Sequence, residues 1–260
     1  MSYLRDRAIV LKSEPFREHD VWVTLYGKKE GKMIAVARGA LNLHAKALGH
    51  LEPLSEIEVM IAKGSSFDKL AVARIVRPRL YLRERLEYLT VAGTFADLVA
   101  RLTHPGINDE RVFNLLCELM DLGAISDAAI SAERSRLLLS GSIIKLLDLL
   151  GYAPHIDACA HCHQPLAFPT FAIPSEGGLV CFSCAREIAS SFRVPLSPDG
   201  VRLIRFLRHR PLADVLQITA FPFIFLGAAS AIESFLKQTP LLSPPHASET
   251  VMAYTSSFAS

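Results

Sequence analysis

The sequence predicts an α+β chain built as an N-terminal β-rich segment followed by a helical domain with an inserted four-cysteine segment. Three observations predict it. Short apolar runs rich in β-branched and aromatic residues, separated by turn signals, continue to Pro78. From Leu82 onward the apolar residues instead recur at three- and four-residue steps. Four of the five cysteines form two C-x2-C pairs with eighteen residues between them. A length of 260 residues is ample for a buried core, and 50% hydrophobic with 21% charged residues excludes wholesale disorder.

Five strands are predicted before residue 80. They are Ala8–Leu11, Val21–Tyr26, Met33–Ala37, Glu56–Ala62 and Leu70–Val76. Gly27–Gly31 and Gly64-Ser65-Ser66 supply turns. Five short strands suggest a small barrel or sandwich; an OB-type barrel fits the count, which alone does not select it. In the second run Val21, Val23 and Leu25 share one face and should fill the interior. Trp22, Thr24 and Tyr26 share the other, which either packs on the helical domain or stacks bases.

The first helix carries Leu86, Leu89, Gly93, Ala96, Val99 and Leu102 and stops at His104-Pro105-Gly106. Asn108 or Asp109 caps a second, with Val112, Leu115, Leu116, Leu119 and Met120. Further helices are expected at Ser131–Leu150, Ser197–Leu207 and Phe221–Leu236. Phe221–Ile232 is too short to span a bilayer, contains Pro222 and ends at Glu233, so a buried helix is expected and no membrane association. These features divide the chain into domains at 1–79 and 80–240, with the cysteine segment at 157–187 and a disordered tail at 241–260. The N-terminus, with Arg5, Asp6 and Arg7 ahead of a short apolar run and Lys12, does not read as a signal peptide. A cytoplasmic, reducing location follows as the expectation, where paired cysteines bind metal rather than form disulfides.

Cys159, Cys162, Cys181 and Cys184 are therefore expected to hold one structural Zn2+ per chain. A two-residue gap lets two thiolates face one ion from a tight turn, and two such turns complete a tetrahedron. Four thiolates leave no open position for water, so the ion should not be catalytic. His155, His161 and His163 stand nearby as solvent-facing or supporting residues. Cys117 falls on an apolar helical stripe and is expected in the core.

No catalytic residues are assigned, and no small-molecule substrate. Gly27–Met33 resembles a phosphate-binding loop but is one residue short, with Met33 where a hydroxyl should meet magnesium. His50-Leu51-Glu52 gives a deaminase-like H-x-E without the accompanying Pro-Cys pair. Binding remains. The net charge of +2 conceals an asymmetry: residues 1–79 hold 14 Lys and Arg against 9 Asp and Glu, a net +5, and the remainder carries −3. Candidate DNA contacts in the basic segment are Arg5, Arg7, Lys12, Lys28, Lys29, Lys32, Arg38, Lys46, Arg74 and Arg77. Arg202, Arg205 and Arg208 form a second basic set along one helix face, or else a solvated outer surface.

The order of features resembles the RecO family of bacterial DNA-repair and recombination mediators. The resemblance rests on Ala8-Ile9-Val10-Leu11, Glu18-His19-Asp20 and Thr24-Leu25, then Gly31-Lys32, Val36–Ala40 and Leu51-Glu52-Pro53-Leu54. It continues in Cys159-x2-Cys162-His163-Gln164-Pro165-Leu166 and Ser175–Val180 ahead of Cys181-x2-Cys184. The resemblance implies an N-terminal OB-fold barrel and an all-α C-terminal domain carrying the zinc segment. It also implies binding of single- and double-stranded DNA, annealing of complementary strands and help in loading recombinase onto strands coated by single-strand-binding protein. The partners it implies are RecR and the C-terminal tail of single-strand-binding protein. Two departures stand out. Leu41–Lys46 holds one lysine and one histidine where the family often has a strongly basic loop, and His163 stands where many members have glycine. The competing reading is a zinc-ribbon module that binds RNA.

Overall fold

The computed structural model describes residues 2–42, 48–125, 130–190, 192–219 and 222–240. Lys46 and the tail expected to be disordered lie outside the described residues. The chain divides into two compact units, Met1–Ala129 and Ile130–Ser260.

The first unit begins with five strands: β1 (Tyr3–Phe16), β2 (Asp20–Gly27), β3 (Gly31–Ala37), β4 (Glu56–Ala62) and β5 (Lys69–Arg77). They form a closed barrel in the order β1-β2-β3-β5-β4, with β4 pairing back on β1. The seam between β3 and β5 is parallel and rests on the pair Val36–Lys69. This is the OB-type arrangement, selected here by strand order rather than strand count. Val21, Val23 and Leu25 point inward as expected and pack with Ala8, Val10, Ile57 and Ile61. The opposite face of β2 divides. Tyr26 is buried, and its hydroxyl donates to the Asp109 carbonyl at 3.1 Å. Trp22, nearer the other mouth, packs instead against Phe16 and Phe67.

A 3-10 turn (Leu80–Glu84) leads into α1 (Leu86–Leu102) and α2 (Glu110–Ile125), which belong to the barrel's unit. The buried face of α1 is rotated from the expected stripe. Tyr88, Val91, Ala92, Phe95, Ala96, Val99 and Leu102 are buried, whereas Leu86 is 72% exposed. The steps were helical, but the aromatic Phe95 sets the register because it removes the most apolar surface from water. In α2 all five expected core positions are buried. Its first turn receives a cap from Asp109, whose carboxylate accepts from the Arg111 backbone N–H at 2.9 Å.

The turn Gly27–Gly31 docks on the α1–α2 connection. Gly31 has φ 66°, and a Cβ there would meet the Ile107 carbonyl at 2.5 Å, so glycine is required on both counts. The Asp6 carboxylate accepts from the backbone N–H groups of Lys29 and Glu30, at 2.9 Å each.

Glu56 ties these pieces together. Its side chain is 1% exposed and pairs with Arg7 of β1 and with Arg79, itself 1% exposed. Arg79 also meets Asp121 of α2 at 2.9 Å. Burial works against the charge on Arg79; the hydrogen bond and field of Asp121, with Glu56 behind them, more than restore it. Cys117, expected in the core, is half-buried instead, its sulfur 3.5 Å from the Arg79 guanidinium. At that point the helical stripe faces a buried ion cluster, not hydrocarbon.

The second unit packs α3 (Ala132–Leu149), α5 (Pro198–His209), α6 (Leu212–Val215) and α7 (Pro222–Gln238) together. Ser131 and Ser197 cap α3 and α5 through backbone N–H groups three residues on. Glu233 near the end of α7 is buried against Arg136 of α3 at 2.8 Å. No helix among the described residues is long and apolar enough to cross a membrane. This half is not purely helical. The cysteine segment forms a three-stranded sheet, β7 (Gly178–Cys181), β6 (Thr170–Ile173) and β8 (Val194–Leu196) in spatial order, with the short α4 (Phe182–Glu187).

Replacing Glu56 by Ala would leave three arginines, Arg7, Arg77 and the fully buried Arg79, each short of a partner. The expected cost is roughly 3–5 kcal/mol of stability, read from the midpoint of urea unfolding against the parent protein.

Candidate metal centre and nucleic-acid interface

The two cysteine pairs come from different local structures. Cys159 and Cys162 flank a tight turn held by two backbone bonds, Cys159 N–H to the Gln164 carbonyl and His163 N–H to the Cys159 carbonyl, each 2.9 Å. Cys181 closes β7 and precedes α4, on which Cys184 lies one turn along. All four sulfurs lie within 4.8 Å of one another, and Cys162 and Cys181 stand 4.0 Å apart. A tetrahedral thiolate site has sulfurs about 3.8 Å apart, so the residues fit a metal ion with little movement.

The backbone prepares the thiolates. Burial disfavours ionised Cys159, but N–H groups from Cys162, Cys181 and His161 point at its sulfur and bring the thiol down to about 6. Cys184 is pushed up, first by its hydrogen bond to Cys181 and then by burial. A metal ion binds thiolates, so its binding here would displace the protons these thiols carry. Among the described residues no other His, Cys, Asp or Glu joins this set. His161 turns to Glu176 at 3.2 Å, while His155 uses its backbone to pair with Gly177 and Leu179. A Cβ on Gly178 would meet the His155 carbonyl at 2.4 Å, which fixes glycine there. His163 is exposed and adopts φ 59°, the conformation for which glycine is the usual residue.

The basic residues fall into two groups. Several are engaged in holding the fold. Arg7 pairs with Glu56, Arg77 meets Asp121 at 3.1 Å, and Lys28 meets Glu110 at 3.3 Å. Lys32 is half-buried and donates to the carbonyls of Ala100 and Thr103, capping α1. Burial lowers its pKa. Lys12 pairs with exposed Glu14. By contrast Arg5, Lys29, Arg38 and Arg74 are exposed and form no ion pair among the described residues. Arg5, Arg7 and Arg74 rim a groove of about 450 Å³ on the outer face of β1, β4 and β5, with Met60 and Val72 in its floor. Lys46 lies outside the described residues.

The second basic set is largely structural. Arg205 donates to the Ile156 carbonyl at 2.8 Å, just before the first cysteine turn, and Arg208 pairs with Asp148 of α3 at 2.7 Å. Arg202 remains exposed, beside Asp199 at 2.8 Å. Its neighbours Leu203, Phe206, Ile218 and Ile224 line a groove of about 410 Å³.

Comparison with known proteins bears on both regions. The profile of the recombination protein O N-terminal domain matches residues 1–79, and that of the C-terminal domain matches residues 83–239. The chain belongs to the recombination protein O family. A DNA repair protein RecO of Pelotomaculum thermopropionicum is 31% identical over 215 residues, covering 83% of this chain and 80% of the relative. That of Rubrobacter xylanophilus is 32% identical over 217 residues, 82% of this chain and 84% of the relative. Among RecO proteins the present chain therefore matches across both halves, the cysteine segment included. The family is one of DNA repair and recombination.

The strained His163 yields a direct test. Replacing it by glycine should stabilise the metal-loaded protein by about 1 kcal/mol, because the left-handed backbone then carries no steric cost. Thermal unfolding of the two proteins side by side measures it.

Proposed function

We propose that this RecO protein is a DNA-binding recombination mediator without catalytic turnover. It binds single- and double-stranded DNA, anneals complementary strands and helps load recombinase onto strands coated by single-strand-binding protein. It acts in the bacterial cytoplasm with RecR as partner. The observation that carries the reading is the family match across both halves of the chain. The exposed barrel cations support it: Arg5, Lys29, Arg38 and Arg74 form no ion pair among the described residues, with Glu58 opposite Arg74, and such side chains give salt-sensitive, sequence-independent affinity for phosphates. The division into an OB domain at 1–79 and a helical domain at 80–240 belongs to the same proposal.

The groove between α5 and α7 suits the acidic, apolar C-terminal tail of single-strand-binding protein. It offers an apolar floor with Arg202 at its edge, which an acidic tail would have to draw from Asp199. The four-thiolate site is assigned to zinc, whose preference for tetrahedral sulfur matches the donor set. A closed site of this kind supplies folding energy and no Lewis-acid position, which agrees with a protein that binds rather than reacts.

Annealing of complementary oligonucleotides should proceed without ATP; a strict ATP requirement would sink the reading. Replacing Arg5, Arg38 and Arg74 together by Ala should weaken single-strand binding at least tenfold at low salt. It should also reduce the slope of log affinity against log salt by about 2, from ~0.7 per phosphate contact. Competition between DNA and RNA of equal length separates this proposal from an RNA-binding role. For the metal, protein purified without added metal should carry about one zinc per chain, and Cys159→Ser should lower the unfolding temperature before it alters any DNA contact.

A further inference from the structure

One mouth of the barrel carries aromatic rings that the interior does not use. Phe16 ends β1, Trp22 lies near the start of β2, and Phe67 lies in the loop between β4 and β5. The Phe16 and Trp22 rings are 4.8 Å apart and tilted; Phe67 stands edge-on to both, at 6.2 and 5.8 Å. All three side chains are half-buried, whereas Val21 and Val23 on the opposite face of β2 fill the core. The rings therefore cover one another and keep part of their surface in water.

Arg17 stands over this group. Its guanidinium carbon is 5.0 Å from the Phe16 ring centre and 5.8 Å from that of Phe67. Arg17 lies in the tight turn between Phe16 and Asp20 and takes φ 59°, a conformation that disfavours a residue with a Cβ. Strain of this kind at an exposed position is characteristic of ligand-binding loops. The surrounding charges leave a positive remainder. Lys63 and Asp68 neutralise each other at 2.8 Å, as do Lys12 and Glu14. The Asp20 carboxylate accepts from the Gly39 backbone N–H. Arg17, Arg38 and Lys69 then have no carboxylate partner among the described residues, against two acids without a cation partner there, Glu18 and Asp20, which leaves a net positive charge of one.

We propose that Phe16, Trp22 and Phe67, with Arg17 beside them, form a stacking platform for the bases of single-stranded DNA. The proposal rests on the DNA-binding reading above and names where single strands are told from duplex. Ring faces accept unpaired bases of any identity, while a duplex keeps its bases stacked on one another. Arg17 is placed to meet the phosphate next to a stacked base. The uncompensated cations at Arg38 and Lys69 extend the phosphate track.

Trp22 is the only tryptophan of the chain, so its emission reports on this group directly. Titration of the full-length protein with an oligothymidylate should quench that emission, with the midpoint of binding followed by anisotropy of the labelled strand. A blunt duplex of equal length should quench little. Phe67→Ala lies in a loop and should lower single-strand affinity about tenfold while leaving duplex affinity unchanged. Arg17→Gly relieves the backbone and so keeps the fold; it should reduce the salt slope by about 0.7. Single-strand binding with unchanged Trp22 emission and unaffected Phe67→Ala affinity overturns the platform and leaves the mediator reading intact. Equal losses on single strand and duplex also overturn it. Absence of any single-strand binding by the parent protein sinks both.

Discussion

Glu56 is the point on which the first unit depends. A carboxylate removed from water is unfavourable unless its charge is matched nearby. Here Arg7 arrives from β1 and Arg79 from the segment that leaves β5, while Asp121 of α2 holds the far side of Arg79. One buried acid thereby fixes the strand pair that closes the barrel, the exit of the chain from β5 and the helix that covers that end. Apolar packing alone would tolerate some sliding between these parts. Ion pairs with defined geometry do not, so the cluster adds register to a core that already supplies the bulk of the stabilisation.

The same cluster changes the meaning of the charge balance. A net +5 over the first 79 residues suggests a uniformly basic surface. Much of it is directed inward or toward partners within the fold. Arg7, Arg77 and Arg79 answer Glu56 and Asp121, and Lys32 answers the carbonyls that end α1. What is left for phosphate is a smaller set on the outer strands. Electrostatic attraction to a phosphate backbone would then come from a few placed side chains rather than a coat of charge.

Legibility in the sequence followed the range of the interactions. The clustering of the four cysteines was readable because two residues separate each pair, and a turn of that length has few ways to point its sulfurs. The strands and helices were readable from periodicity, and the inward set Val21, Val23 and Leu25 came with them. The rotated face of α1 was not, since Leu86 and Phe95 both fit a helical stripe and only packing chooses between them. The fate of each arginine was hidden for a stronger reason. Arg79 meets Asp121 and Arg205 meets Ile156, each across more than forty residues. Nothing local distinguishes such a cation from one that faces solvent. The aromatic trio was missed likewise, because Phe67 joins Phe16 and Trp22 only when the barrel closes.

The second unit meets the problem of stability in another way. The cysteine segment is built on strands of three and four residues, too short to bury a core of their own. Its buried centre includes Cys159, Cys181 and Cys184 themselves, beside Ile173, Val180 and Ala185. Half of that small core is thus cysteine, and a metal ion held there would take the place that hydrocarbon has in a larger domain. The segment is then fastened to α5 by Arg205, whose guanidinium grips the Ile156 carbonyl three residues before the first ligand. Because that carbonyl leads directly into the turn carrying Cys159 and Cys162, order at the metal and the position of α5 are mechanically linked. Arg202, on the same helix one turn earlier, borders the apolar groove. An ion held by the four thiolates would in this way also steady the groove beside α5, with no reacting position of its own.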